Sequence, residues 1–250
     1  MASLDAVLQK TNRAAEHLKV LKSETLRFLQ DHPGESISET TRESNRPVIG
    51  STVNVLIPAR IALIIGDVLQ NLRSSLDYLI WELVLTTGYK PTDKSAFPIC
   101  DYQAAFKMEL RRHRLDDIPT PARTTIEGLQ PYWSGEGQQQ HHNLRVLDDL
   151  SNISKHRRVA LSAVTVLGAE PELDSEAGSH DENLAGDLHQ RSEFGVCLHP
   201  ASHYVRERQL VTFIAFGDGP AKDVEIGFCL DRLWHYVNDV VLRQFESYFA

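Results

Sequence analysis

In LDDLSNISKHRRV, Asp148, Asn152 and His156 recur every fourth residue, and Lys155, Arg157 and Arg158 crowd the same end. On a helix that spacing stacks the three polar residues along one edge. An imidazole beside clustered cations has the parts needed for phosphate chemistry. His156 would act as general acid or base, Lys155 and Arg157 would bind and stabilise the anion, and Asn152 would orient it. The cluster also has a plainer account, because cations at a helix C-terminus complement the macrodipole.

A second polar set lies on IPARIALIIGDVLQNLRSSLDYLIWELVLTT, residues 57–87. Its apolar positions Ile61, Ile64, Ile65, Val68, Leu69, Leu72, Leu76, Leu79, Ile80 and Leu83 follow the i, i+3, i+4, i+7 rule of a bundle helix. The other side carries Asp67, Gln70, Asn71, Arg73, Asp77, Tyr78 and Trp81. Arg73 and Asp77 fit an i, i+4 surface ion pair worth about 0.3–0.5 kcal/mol. Facing the first cluster, they and Asn71 would instead form one wall of a ligand site. Tyr78 and Trp81 are large aromatics on a polar side, and they point to packing against another element or a second subunit.

Two further groupings carry less. Cys197 and His199 would share a strand face, with His203 beyond and His180, Asp181 and His189 nearby. The spacing matches no closed zinc pattern and Pro200 breaks the helix that would align the histidines, so no metal or other cofactor is expected. RRHR at 111–114 could touch phosphate, but Asp116 and Asp117 beside it weaken its field. The chain has no P-loop, no dinucleotide-binding glycine fingerprint, no nucleophile elbow and no HExxH helix.

The 250 residues have 42% hydrophobic and 24% charged composition, which suits an ordinary globular chain. No apolar run is long enough to span a bilayer, the start lacks the features of a signal peptide, and the three cysteines are odd in number and widely spaced. A cytoplasmic location away from membranes is the expectation. The net charge of −8 argues against a protein that coats nucleic acid. Much of that charge sits in residues 169–188, which hold seven acids and no Lys or Arg, so local basic clusters still count.

The elements that must position these residues begin with a helix over about 3–30. Its seam of Leu4, Val7, Thr11, Ala14, Leu18, Leu21, Thr25 and Phe28 has heptad-like spacing. A polar segment and a short strand near 48–56 lead to the long helix at 57–87. Shorter helices follow at 101–114, with Asp101 as N-cap, and at 121–129, then a loop over QPYWSGEGQQQHH and a helix at 143–156. The period then changes to two. RRVALSAVTVL, EFGVCLH and RQLVTFIAFG read as strands and KDVEIGF as a fourth candidate, with the acidic run as a mobile loop between them. A helix from about 230 to 249, striped by Leu230, Leu233, Trp234, Val237, Val240, Val241, Phe245 and Tyr248, closes the chain. The fold class is therefore α+β and mainly helical: a bundle of long helices with a small antiparallel sheet inserted before the C-terminal helix. One domain is expected, with a helical part at 1–156, a β-rich part at 157–228 and the last helix at 229–250.

Gly66, Asp67, Asn71, Arg73 and Asp77, taken with Asn152, Lys155, His156 and Arg157, resemble a group of bacterial proteins of unassigned function. These share a GDxLxNLRSxLD helix followed by NxxKHR, and the match covers roughly residues 57–160. A more distant similarity is to the HEPN class of helical bundles, many of which dimerise and some of which are RNases. Their catalytic signature is an Arg followed by four to six residues and then a His. The nearest analogue here is Asn152 to His156, with no Arg in the required place, which fits the non-catalytic binders of the class. The resemblance implies a HEPN-like protein that binds or acts on RNA or a nucleotide. The competing expectation is a non-enzymatic module that homodimerises through its aromatic helix faces.

Overall fold

The heptad-like seam of the first helix finds its partner in the long helix. In the computed structural model, which describes residues 2–32, 50–53, 55–135, 137–169 and 208–249, α1 (Asp5–Asp31) lies antiparallel along α2 (Ala59–Thr86). Polar contacts from one end to the other set the register: the Ser3 amide donates to Glu82, His17 lies beside Asp67, and Arg60 pairs with Glu24. Between them Val7, Thr11, Ala14, Leu18, Leu21 and Phe28 are buried against the apolar stripe of α2. Thr11 is tolerated in this seam because its hydroxyl donates back to the Leu8 carbonyl.

Three short helices follow: α3 (Gln103–Arg111), α4 (Thr120–Gly128) and α5 (Asn143–His156). The expected Asp101 cap is corrected by the structure. Tyr102 precedes α3 without a side-chain cap, because the Asp101 carboxylate is taken by Arg145 at 2.8 Å. The predicted loop over 130–142 contains two tight 3₁₀ turns, Pro131–Ser134 and Gln139–His141. α5 is capped by His142, whose Nδ1 accepts the Leu144 amide.

Among the described residues an antiparallel sheet of three strands then forms, in the order β1 (Gly50–Val53), β2 (Leu161–Ala169), β3 (Arg208–Phe216). Thr52 stands opposite Val164, and Val164 opposite Phe213. Ala163, Ile214 and Phe216 are buried at its inner end. The strand expected at 193–199, the acidic run from residue 170 onward and the candidate metal ligands Cys197, His199, His203, His180, Asp181 and His189 lie outside the described residues. KDVEIGF is not a fourth strand. Lys222 and Glu225 make only isolated bridges to β3, and Asp223 turns the chain at φ 64°. The Glu225 carboxylate then accepts the amides of Gly227 and Phe228, which caps α6 (Ile226–His235).

α6 runs on through a π-helical turn, Tyr236–Val241, into a 3₁₀ stretch, Leu242–Tyr248. The wider turn takes up one extra residue and rotates the side chains beyond it about the helix axis. Val240, expected on the apolar stripe, is therefore exposed, while Leu242 joins Val241 and Phe245 in the core. Trp234 is fastened to α1 through its indole N–H, which donates to the Thr11 carbonyl. One contiguous core joins these helices to the sheet. Among the described residues no helix is long and apolar enough to cross a membrane.

Candidate functional site

The two polar sequence sets meet where α5 lies against α2. Arg73 faces Asp148 and Gly66 faces Ser154, so the helices run antiparallel. Gly66 is what permits the close approach. A Cβ there would lie 3.3 Å from the Ser154 hydroxyl, tighter than ordinary contact.

Arg73 is committed to this junction. Its Nη1 donates to Asp77 (2.8 Å), its Nη2 to the Phe97 carbonyl (3.0 Å) and its Nε to Asp148 (3.3 Å), and its side chain is only 14% exposed. Asp77 also accepts the Phe97 amide, so this backbone unit is gripped on both sides. Gln130 holds the same segment further along, accepting from the Cys100 amide and donating to the Pro98 carbonyl. Asn152 donates to Asp148. Asn71 donates to the Asp67 carbonyl of its own helix. Of the residues expected to bind ligand, Arg73 and Asp77 thus join α2, α5 and the 97–100 segment, and Asn152 and Asn71 brace their own helices.

What remains open is a groove of about 490 Å³ between the first turns of α2 and the end of α5. Ala59, Ala62 and Leu63 line one part of it, and Gly66, Asp67 and Gln70 continue the same helical stripe. Ser154, Lys155, Arg157, Arg158 and Val159 form the opposite wall. Arg157 is held by Asp218 at 2.8 Å. Lys155 and Arg158 are exposed and make no ion pair among the described residues. His156, the expected general acid or base, ends α5 exposed beside the groove rather than lining it.

A larger cavity, about 610 Å³, lies elsewhere along α5 and was not anticipated from sequence. Asp101, Gln139, Gln140, His141, Arg145 and Asp149 line it. Arg145 bridges the two carboxylates, at 2.8 Å to Asp101 and 2.9 Å to Asp149. Burial pushes the Asp149 carboxyl up despite that guanidinium, which pulls it down. With its cation shared by two acids, this cavity does not suit an anion. The i, i+4 spacing of Arg145 and Asp149 was the sequence signal for it. Among the described residues no group of three metal-ligating side chains occurs. Cys100 and Cys229 are both buried, and burial pushes the Cys100 thiol up to about 11, away from nucleophilic reactivity.

Comparison with protein-family models, curated proteins and solved structures yields no match to this chain.

Proposed function

We propose that this protein binds a phosphate-bearing ligand, RNA or a nucleotide, in the groove between α2 and the end of α5. One observation carries the reading. Lys155 and Arg158, cations without an ion pair among the described residues, face the N-terminal turns of α2 across an open groove. Such a helix start favours anions through its unpaired amides and dipole. A phosphate placed there meets positive charge from both walls. Arg157 contributes a charge it already shares with Asp218. This is a HEPN-like reading of a cytoplasmic protein, on the binding rather than the catalytic side of that class. The His156 imidazole has no orienting carboxylate among the described residues, so the groove is read as a binding site.

The test is binding of fluorescently labelled 5′-phosphorylated RNA and of nucleoside monophosphates to the wild type, Lys155→Ala/Arg158→Ala and His156→Ala. Loss of two phosphate contacts should weaken binding at least tenfold and flatten its salt dependence. No binding by the wild type would remove the proposal. Turnover abolished by His156→Ala in a folded protein would restore the enzymatic reading.

A second reading has its own support. Tyr78, Trp81 and Leu85 are exposed on one face of α2, at 42%, 46% and 36%, and the Lys10 ammonium lies 5.2 Å over the Tyr78 ring. A protein that homodimerises through this face would become monomeric in sedimentation on Trp81→Glu.

A further inference from the structure

The groove is polarised along its length, and this extends the phosphate reading on which the inference rests. Because α2 and α5 are antiparallel and Ser154 meets Gly66, the chain continuing past α5 carries Arg158 toward the Ala59 and Ala62 end, whereas Lys155 follows Ser154 at the height of Asp67. From Ala59 to Asp67 is eight residues, about 12 Å at the rise of an α-helix. That separation suits the distance from the phosphate of a nucleoside monophosphate to the far edge of its base. Between the two ends the wall is aliphatic, with Leu63 left 66% exposed, a surface on which a base can lie flat.

A carboxylate at the far end is out of place in a site built only for phosphate. Asp67 is 59% exposed, and the His17 imidazole lies 3.9 Å from its carboxylate. A carboxylate accepts two parallel hydrogen bonds and donates none. Among the common bases guanine alone offers two adjacent N–H donors, N1–H and the exocyclic amine. Adenine and cytosine each set a ring-nitrogen lone pair beside their amine, which repels a carboxylate. Uracil offers one N–H between two carbonyls.

We propose that Asp67 reads the base and that the groove selects guanosine 5′-monophosphate, free or as the 5′ end of an RNA strand. The phosphate sits at the Arg158 end of the groove, beside the first turn of α2.

The test is titration of the full chain with GMP, IMP, AMP, CMP and UMP, and with 5′-phosphorylated RNA oligomers beginning in G or in A. GMP, the G-initial oligomer or both should bind about tenfold tighter than their A counterparts, since a bidentate pair discriminates by that order. IMP, which lacks the exocyclic amine, should fall between GMP and AMP. The oligomers binding while the monophosphates do not would identify the RNA end as the source. Asp67→Asn should bring the G-to-A ratio close to one, with circular dichroism and thermal midpoint confirming the fold. Equal binding of G and A ligands, or a preference that survives Asp67→Asn, would overturn base reading while leaving phosphate binding standing. No binding of any of them would overturn both.

Discussion

Replacing Arg73 by Met separates a structural from a ligand-binding role for the most connected residue of the site. The substitution keeps an unbranched side chain of similar length and removes the guanidinium. Three hydrogen bonds go, two of them to carboxylates, and Asp77 and Asp148 are left without their cation at 37% and 26% side-chain exposure. Truncating one partner of a fully buried pair costs about 3–5 kcal/mol, and a hydrogen bond to a charged group about 1.5–3. Water reaches both carboxylates here and the Asp148 contact is long, so the expected loss is about 2–3 kcal/mol. For a chain of this size that lowers the thermal midpoint by roughly 4–12 °C. Urea denaturation should show the shift in midpoint with little change in slope. Arg73→Lys should recover only part, because one ammonium cannot serve Asp77, Asp148 and the Phe97 carbonyl together. Asp148→Asn in the Arg73→Met background should cost less than in the wild type, since the two act in one network. Arg73→Met within about 0.5 kcal/mol of the wild type, combined with lost RNA or nucleotide binding, would refute this assignment and make Arg73 a ligand contact.

Acid should destabilise the fold through His142. Burial and the nearby Arg232 lower its pKa from 6.5 to about 4, and its Nδ1 must stay unprotonated to accept the Leu144 amide. Nε2–H is then the donor to the Tyr236 hydroxyl at 3.2 Å. Between pH 6.5 and 4 the unfolded chain takes up a proton that the folded chain refuses, so stability is full above 6.5 and falls by about 2–3 kcal/mol toward pH 4. His142→Asn, which can still cap but does not titrate, should flatten denaturation midpoints across that window, and an unchanged pH profile would count against the assignment. Phe245→Ala should cost about 3–5 kcal/mol, because its ring is fully buried. Trp234→Phe, losing chiefly the bond to Thr11, should cost about 1 kcal/mol, and urea melts would expose a reversed order. Gly66→Leu should drive α5 from α2 and cost about 1–3 kcal/mol in thermal melts, whereas Gly66→Ala with Ser154→Ala should be neutral or stabilising.

Periodicity determined the helices and the strands of the described sheet because burial imposes it directly. The seam from Val7 to Phe28, the stripe from Ile61 to Leu83 and the change to period two after His156 all repeat the geometry of the element they build. Local chemistry that competes with periodicity was harder to read. KDVEIGF alternates like a strand, yet the Glu225 carboxylate finds the amides of the next turn and starts a helix instead. The displacement of Val240 arises from a π-helical turn that leaves no mark in the hydrophobic pattern. In the candidate site, the sequence brought forward polar and charged residues on both helices, of which Lys155 and Arg157 line the groove. Only the tertiary structure decided how they divide. Asp77, Phe97 and Asp148 come from separate segments, and their convergence on Arg73 takes that cation out of solvent. Asp67, Gln70 and Arg158 line one groove because Gly66 lets α5 close against α2 at that height, and no spacing within either helix encodes that distance.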